Sequence, residues 1–297
     1  MRLSKQSVDQ MLRRQQKRFV EQQKFIEKAE TIRVAHPEMG CRKMALKLKE
    51  KGFGRDKIEG LLLQSGFRVI YPPNYTRTTQ SVRIHQYKNL IKGLPVKGIN
   101  KVVQSDITYF WMNGRFGYLV FIIDVYSRLI IGYQASMGLE TEANIKALEM
   151  LIKSRGKENL KGLIHHSDRG SQYHSKEYLK VLRACGIKIS MCDNAWENAY
   201  TERINRTIKN EYLRHRKIDS LKKLKRQLDI DIRAYNTDRP HRNLPQQMAP
   251  AIFEQYVSRL KRSMRPKMII YDQVKQKAKN EFFLAMKQSD NKIAARI

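Results

Sequence analysis

Two aspartates occupy positions where carboxylates can do chemistry. Asp106 lies in the stretch Val102–Phe110, whose alternation predicts a strand, and it shares a face with Gln104 and Thr108. Asp168 follows another predicted strand, at the end where α/β sheets place ligand-binding groups. Carboxylate oxygens favour Mg²⁺ or Mn²⁺ over zinc. Two such ions can activate an attacking oxygen and stabilise a leaving oxygen at a phosphodiester, so we expect the aspartates to form part of a two-ion site.

Glu202 is the third candidate ligand. A predicted helix over residues 197–215 carries an i, i+4 apolar stripe formed by Tyr200, Ile204, Ile208 and Tyr212. At 100° per residue, Glu202 lies roughly 160–200° from that stripe. The side chains near it are Asn198, Asn205, Arg206 and Lys209. One acid among amides and cations predicts a surface that faces a polyanion. Each of the three acids taken alone is best interpreted as part of an ion pair or as a surface charge. The occurrence of all three at these positions favours a metal-binding site.

The elements that must position these acids follow the order β-β-β-α-β-α-β-α. The predicted strands cover 102–110, 116–124, 129–135, 162–166 and 187–191, and the predicted helices cover 141–154, 176–185 and 197–215. Asn113-Gly114 predicts a type I′ hairpin between the first two strands. The order predicts an α/β fold, with a mixed sheet and helices on its faces as in ribonuclease H. Its first and fourth strands are neighbours, which brings Asp106 and Asp168 within reach of one ion.

Three segments precede this core. Residues 1–36 contain a basic helix over 5–35, which either packs on its own domain or self-associates through the weak heptad of Leu12, Phe19 and Ile26. Residues 37–69 contain two short helices, over 38–51 with Gly52 as its C-cap and over 55–64. This pair is typical of a DNA-binding helix-turn-helix. Residues 70–99 predict an extended basic linker.

The chain after the predicted site is again basic. A helix over 219–236 places Leu221, Leu224, Leu228 and Ile232 inside and Lys222, Lys223, Lys225 and Arg226 outside. The catalytic core is expected to cover 100–255, and residues 256–297 form a basic C-terminal extension. The apolar cluster at 268–271 predicts a short strand or a packing anchor, with contact to DNA or to another protomer as the alternative.

The charge of the chain restricts its partners. The 297 residues carry 59 Lys and Arg against 28 Asp and Glu, a net charge of +31. Residues 1–100 hold 22 basic and 8 acidic residues and residues 201–297 hold 24 and 10, whereas residues 101–200 hold 13 and 10. The excess therefore lies in two flanks. It favours nucleic acid as the partner, with an anionic membrane surface as the alternative.

Composition excludes other classes. No apolar run is long enough to span a bilayer, and MRLSKQSVDQ has no apolar signal region, so we expect a cytoplasmic, nucleoid-associated protein. Three cysteines, Cys41, Cys185 and Cys192, predict buried thiols in a reducing compartment rather than disulfides.

Five motifs follow one another in the order of a known family. They are DITYF at 106–110, DVYSRLIIGY at 124–133, HHSDRGSQYHS at 165–175, DNAWENAYTERINRTIKNEY at 193–212 and YNTDRPHRNLPQQMAP at 235–250. Over roughly residues 35–255 the chain resembles a bacterial insertion-sequence transposase of family three, the integrase-core protein of the second reading frame. That group belongs to the Asp-Asp-Glu transposase and retroviral integrase superfamily.

The resemblance implies that Asp106, Asp168 and Glu202 are the catalytic triad and hold two Mg²⁺ or Mn²⁺ ions. The sequence departs from the family pattern at one point. Asp168 and Glu202 are separated by 33 residues, a couple fewer than is usual in the family. The missing residues fall between Met191 and Trp196. Glu197 is therefore a rival ligand, which we reject because Asn198-Ala199-x-x-Glu202 keeps the family's order. Glu211, farther along the helix, is the other rival and matches the acid after Lys-Asn in the family motif.

Other residues receive weaker expectations. Asp124 is expected to form a turn or to contact an Arg. Of His165 and His166, one is expected to pack in the strand, and neither is expected to bind a metal. Asn236, Arg239 and His241 belong to a family motif for which DNA contact and core contact are equally open. The predicted DNA contacts are Arg42, Lys43, Arg55, Lys57, Arg128, Arg169, Gln172, Tyr173, Arg206, Lys209, Arg239 and His241.

The resemblance implies a DNA transposase that binds element ends and catalyses metal-dependent strand cleavage and strand transfer. The alternatives are a nuclease on the same fold and a non-enzymatic helix-turn-helix regulator. Joining two ends implies a homo-oligomer on double-stranded DNA. The resemblance to the family also implies a first-reading-frame helper protein as a further candidate partner.

Overall fold

The computed structural model describes residues 5–48, 54–70 and 87–271. The chain divides into two compact units. The first consists of residues 1–77, 206–218 and 226–249, and the second of residues 78–205, 219–225 and 250–297. These units cut across the segments expected from sequence, because 206–218 and 226–249 lie within the expected core.

A five-stranded mixed sheet forms the centre of the second unit. Its strands are β2 (Val102–Met112), β3 (Arg115–Asp124), β4 (Ile130–Ser136), β5 (Ile164–Ser167) and β6 (Lys188–Met191). Their spatial order is β4-β3-β2-β5-β6. β2, β3 and β4 are antiparallel, whereas β5 and β6 run parallel to β2. The α/β class, the mixed sheet and the adjacency of the first and fourth predicted strands are confirmed.

Local chemistry accounts for the turns between these strands. Asn113 and Gly114 have φ angles of 45° and 77°, as the type I′ hairpin requires. The chain reverses again after Asp124, whose buried carboxylate accepts hydrogen bonds from the backbone N–H groups of Tyr126 and Ser127. The predicted turn role of Asp124 is confirmed.

Two helices cover one face of the sheet. They are α4 (Thr141–Arg155) and α5 (Lys176–Ala184), and Gly186 follows α5 with a φ of 65°. The main core lies beneath them, where Leu148 and Leu151 of α4 and Tyr178 and Leu182 of α5 pack with side chains of the strands. Each apolar side chain buried there contributes roughly 1.5–3 kcal/mol, so this layer fixes the sheet that carries Asp106.

Three helices form the described N-terminal part of the first unit. They are α1 (Lys5–Ala35), α2 (Cys41–Lys47) and α3 (Arg55–Gln64), and α1 and α3 have the predicted bounds. α2 begins later and ends earlier than predicted, with Leu48 as its C-cap, while the predicted cap Gly52 lies outside the described residues. The end of α1 packs on the pair through a core that includes Phe25, Met44 and Leu62. Leu12 and Phe19 are exposed, and Ile26 is half-buried.

A two-stranded sheet joins distant parts of the second unit. β1 (Pro95–Val96) pairs antiparallel with β7 (Met268–Ile269). The apolar cluster at 268–271 therefore contains the predicted short strand. Residues 95–96 were expected in an extended linker, but their backbone hydrogen bonds are made with β7; residues 71–86 of that linker lie outside the described part of the chain.

The predicted single helix over 197–215 is interrupted. A 3₁₀ turn covers Ala195–Asn198, α6 covers Ala199–Thr207, a π-helical turn covers Ile208–Tyr212, and a second 3₁₀ turn covers Leu213–His215. The π turn inserts an extra residue and rotates every side chain beyond it. Ile204, Ile208 and Tyr212 are buried as predicted, whereas Tyr200 is only half-buried.

Two further helices complete the described fold. α7 covers Leu221–Thr237 and α8 covers Pro250–Ser258. Cys41, Cys185 and Cys192 are buried free thiols, as expected. Over the described ranges, no helix combines the length and the apolar character needed to cross a membrane.

Candidate active site

Asp106 and Asp168 lie side by side at the sheet. In the parallel pairing of β2 with β5, Ser105 is the register partner of Ser167. Asp106 is the next residue of β2, and Asp168 is the first residue after the end of β5, so the two aspartates follow a pair of register partners on neighbouring strands. Both residues are half-buried. The pairing of these two strands was predictable from the sequence because the register of a strand depends on its apolar pattern.

A hydrogen bond ties α6 to this pair. The Asn205 side chain donates from Nδ2 to Oδ2 of Asp106, at 2.7 Å. Glu202 lies three residues before Asn205, and residues at that spacing are neighbours on a helix surface. Glu202 is exposed, while Asn205 is buried. The bond therefore holds the stretch of α6 that carries Glu202 beside Asp106.

Burial and nearby negative charges shift the pKa values of groups around the candidate site. Burial raises the pKa of the Asp168 carboxyl, although the backbone N–H of Gly170 donates to its Oδ1 at 3.0 Å. Burial also raises the pKa of the Cys192 thiol, and nearby negative charges raise it further; these belong to Asp168, Glu197, Asp106 and Glu202. Cys192 thus experiences the charge of all three candidate ligands.

The acids do not form a closed ligand cluster. Among the described residues, no three His, Cys, Asp or Glu side chains are arranged to hold a metal ion. The structure therefore brings the three carboxylates to one region of the sheet without assembling them into a coordination sphere.

The two rival acids have structural partners. Glu197 is fully buried and accepts from the backbone N–H groups of Asp193 and Asn194, at 2.7 and 3.0 Å, as part of a capping box. Glu211 makes a bidentate ion pair with Arg239, at 2.7 and 2.8 Å, and a second ion pair with Lys43. Burial opposes the charge of Glu211, but these two cations hold its pKa below the usual value.

Both histidines before Asp168 are packed in the strand, whereas the sequence predicted this for one of them. His165 shares a hydrogen bond with the Tyr178 hydroxyl at 2.8 Å, and His166 is hydrogen-bonded to Ser190 and Cys192. Burial lowers the pKa of His165 to about 3 and that of His166 to about 4, so both are neutral at pH 7.

Four of the residues predicted to contact DNA are buried. Tyr173 is only 1% exposed and its hydroxyl is hydrogen-bonded to Ser105. Arg128 lies over the Tyr200 ring, with 4.0 Å from its guanidinium carbon to the ring centroid. Arg239 is held by Glu211, and His241 is buried as well. For Arg239 and His241 the structure favours the core alternative that the sequence left open.

The other predicted DNA contacts stay predictions. Arg42, Arg55, Lys57 and Arg206 are exposed, and Lys43, Arg169, Gln172 and Lys209 are half-buried. Arg169 makes an ion pair with Asp193 at 2.7 Å, and Gln172 donates to the Leu139 carbonyl oxygen.

Sequence reasoning misplaced the amides near Glu202. Asn198 and Asn205 were expected on a surface facing a polyanion, but both are buried; Asn198 donates to the Ser105 carbonyl oxygen at 3.2 Å. Gln104, expected on the polar face with Asp106, is fully buried and donates to the Tyr271 hydroxyl. The i, i+3 spacing of Glu202 and Asn205 was the available signal for a role of Asn205 beside Asp106.

Sequence comparison assigns the family. The profile described as the integrase core domain matches residues 97–195, and a second profile with the same description matches residues 184–250. A 31 kDa protein of insertion element IS600 from Shigella sonnei is 31% identical over 238 residues, which cover 75% of this chain and 85% of that protein.

Two other relatives carry transposase names. A putative transposase for insertion sequence element IS986/IS6110 from Mycobacterium tuberculosis is 31% identical, covering 59% of this chain and 66% of that protein. Transposase InsF for insertion sequence IS3A from Escherichia coli is 31% identical, covering 38% and 40%. The chain thus spans less than two thirds of these two relatives.

Among solved structures, the HTLV-2 integrase catalytic core domain in complex with magnesium matches with a TM-score of 0.42 and 18% identity, covering 56% of this chain and 99% of that chain. The family assignment depends on the sequence matches and not on this likeness. The chain belongs to the insertion-sequence transposases with an integrase core, the family-three group of the integrase superfamily.

Proposed function

We propose that this transposase cleaves and joins DNA strands at a site where Asp106, Asp168 and Glu202 hold two divalent cations. The observation that carries the proposal is the register of β2 and β5, in which the residues just before Asp106 and Asp168 are partners. The Asn205–Asp106 hydrogen bond supports a place for Glu202 in the same site, because Glu202 lies on the same helix as Asn205. Family membership supports the reaction class, and these two observations support the choice of residues.

The residues fit Mg²⁺ or Mn²⁺. All three ligands offer carboxylate oxygens, which these cations prefer. Asn205 adds a buried Oδ1 that has no hydrogen-bond partner within the described part of the chain, beside the carboxylate that its Nδ2 contacts. Glu202 is exposed, so its side chain can change rotamer without displacing the core. Bound there, the two cations supply activation of the attacking oxygen and stabilisation of the leaving oxygen.

The carboxylates act as ligands and not as nucleophiles. In the first step water attacks the phosphorus at the element's end, and the bond to the leaving oxygen breaks to give a 3′-hydroxyl. In the second step that hydroxyl attacks a phosphorus of the target strand and replaces its leaving oxygen. Asp106 is held in orientation by Asn205, and Asp168 by the N–H of Gly170.

The partners follow from these steps. Double-stranded DNA is the substrate as element end and as target, and α2 with α3 is the helix pair that we assign to end recognition. Joining two ends in one complex requires at least two protomers, so the active form is a homo-oligomer on DNA. A first-reading-frame protein is a further candidate partner.

The deciding experiment compares the parent chain with Asp168→Asn on labelled DNA that carries the element's ends, in Mg²⁺. We expect nicked and joined products from the parent and none from the variant, because Asn removes the charge that holds the cations. Asp219→Asn is the matched control, since Asp219 is an exposed acid paired with Lys223. The control is expected to retain activity.

Other outcomes would contradict the proposal. Unselective degradation by the parent would identify a nuclease, and binding without products would identify a regulator. An Asp168→Asn variant as active as the parent would overturn the site assignment.

A further inference from the structure

A basic cleft lies in the second unit, at the end of the sheet where β2 and β5 begin. Its volume is about 460 Å³. Its walls come from residues 94–99 and Lys101, from Gly162 and Ile164, and from Arg262, Arg265 and Lys267. Five of its side chains are cationic: Lys97, Lys101, Arg262, Arg265 and Lys267. Among the residues that the structure describes, no acidic side chain lines it.

Acidic side chains of the described residues do not neutralise the five cations. None of them makes an ion pair with Asp or Glu in the described ranges 5–48, 54–70 and 87–271. Lys97, Lys101, Arg262 and Lys267 are exposed, and Arg265 is half-buried. Five like charges around one cleft repel one another, and an anionic ligand would remove that repulsion.

The cleft is held together by backbone pairing between distant segments. Besides the β1–β7 pair, the Gly93 N–H donates to the Ile270 carbonyl at 2.8 Å, and the Ile270 N–H donates to the Leu94 carbonyl at 3.0 Å. The Tyr126 hydroxyl donates to the Pro266 carbonyl at 2.9 Å. These bonds bring Lys97 beside Arg262 and Lys267, so the charges are arranged before any ligand binds.

Arg265 is also positioned by its surroundings. Its Nε donates to the Leu260 carbonyl oxygen at 3.2 Å. Its Nη1 would lie 3.3 Å from a Cβ placed on Gly98, so the absence of a side chain at Gly98 makes room for the guanidinium. The half-buried cation is therefore part of the wall of the cleft.

The cleft is separate from the candidate active site. Lys101 precedes Asp106 by five residues along β2, a distance of about 16 Å at the usual rise of a strand. Ile164 and Asp168 are four residues apart, or about 13 Å. A phosphate bound in the cleft is therefore not the one that reacts at the carboxylates.

We propose that the cleft binds the phosphate backbone of duplex DNA, at phosphates other than those that react at the carboxylates. Within the described part of the chain, the lining contains no aromatic side chain on which a base could stack, and no Asn or Gln to read a base edge. Lys and Arg without such groups contact phosphates and position the duplex without selecting its sequence. The proposal depends on the proposed function only for the identity of the polyanion.

The first test measures the salt dependence of binding to a duplex of arbitrary sequence, with EDTA present so that no strand is cut. The cleft variant Lys97→Gln/Lys267→Gln is compared with Lys153→Gln/Lys180→Gln, whose lysines are exposed on α4 and α5. Each lost phosphate contact lowers the slope of log K against log salt by about 0.9, so we expect the cleft pair to lower it by about two. The control pair is expected to change it little. Equal slopes for the two variants would overturn the proposal.

The second test uses the unaltered full chain, so no variant needs to fold. Lysine acetylation is measured by mass spectrometry with and without the duplex. We expect DNA to protect Lys97, Lys101 and Lys267 and to leave Lys153 and Lys180 reactive. Unchanged acetylation of the three cleft lysines, or protection by inorganic polyphosphate but not by DNA, would contradict the proposal. Because neither test requires cleavage, a failure of the proposed catalytic site gives a different result from a failure of the cleft.

Discussion

Asn205 connects the candidate ligands at the scale of single residues. It is buried on α6, and it donates a hydrogen bond to Asp106 while lying one turn from Glu202. A hydrogen bond to a ligating carboxylate fixes the direction of its remaining oxygen lone pairs. Asn205 therefore orients Asp106 without serving as one of the three predicted ligands.

Replacement of Asn205 by Ala is expected to weaken metal binding. Loss of such an orienting partner typically lowers metal affinity or activity by about 10- to 100-fold. A titration of strand cleavage against Mg²⁺ concentration should therefore show a higher Mg²⁺ requirement, with cleavage partly restored at high Mg²⁺. Asn159→Ala is the control, since Asn159 is exposed and its side chain donates to the Arg155 carbonyl oxygen and to the Glu158 carboxylate. An unchanged Mg²⁺ requirement in Asn205→Ala would show that the hydrogen bond does not serve the site.

At the scale of elements, close contact between α4 and β4 determines how the sheet is covered. Gly132 of β4 lies against the backbone of α4, where a Cβ would fall 2.1 Å from the Ala147 carbonyl oxygen. No L side chain fits there, because the obstacle is backbone and not the end of a flexible chain. The glycine thus permits the approach of the helix that buries Leu148 and Leu151 beneath it.

Gly132→Ala is therefore expected to destabilise the protein. Overpacking of this kind costs about 1–3 kcal/mol, and the backbone clash places the expected loss at the upper end of that range. The free energy of unfolding in urea measures it. Gly60→Ala is the matched control, since nothing lies within 4 Å of a Cβ at Gly60 in α3 and Ala is the better helix former. Equal unfolding free energies for parent and Gly132→Ala would contradict the close packing of α4 on β4.

The helix predicted over 197–215 shows where a local sequence pattern was insufficient to predict an element. The apolar stripe predicted one straight helix over 197–215. It did not predict the π turn at Ile208–Tyr212. Partners distant in the sequence accompany that turn: the Glu211 carbonyl accepts from the Glu38 N–H at 2.9 Å, and the Tyr212 hydroxyl is hydrogen-bonded to His36. Glu211 lies in the same unit as these partners and makes its ion pairs there with Arg239 and Lys43.

At the scale of the whole molecule, the net charge of +31 is divided between two flanks and a nearly balanced middle third. The middle third carries Asp106 and Asp168, whose charges repel phosphates. The flanks carry the exposed cations Arg42, Arg55 and Arg206 and the cleft residues Arg262 and Lys267. We therefore assign affinity for DNA to the cations of the flanks, and the chemistry to the two aspartates of the middle third together with Glu202, which lies at the start of the last third.

Metal removal should separate these two activities. In EDTA, strand cleavage should stop, while duplex binding should persist and keep its steep decrease with salt, because Lys and Arg contacts release counterions without metal. Parallel measurements of cleavage products and of binding across a salt series test this. Loss of binding in EDTA, or an affinity insensitive to salt, would refute the division between flanks and middle.

The sequence by itself determined the class of the sheet, the positions of Asp106 and Asp168 within it, and the family. It could do so because strand alternation, turn residues and motif order are local in the chain. The burial of Asn205, Arg128 and Arg239 was decided by tertiary structure alone, since the groups they contact are distant in sequence. Likewise, the basic cleft exists only because β1 pairs with β7, which brings together cations about 165 residues apart.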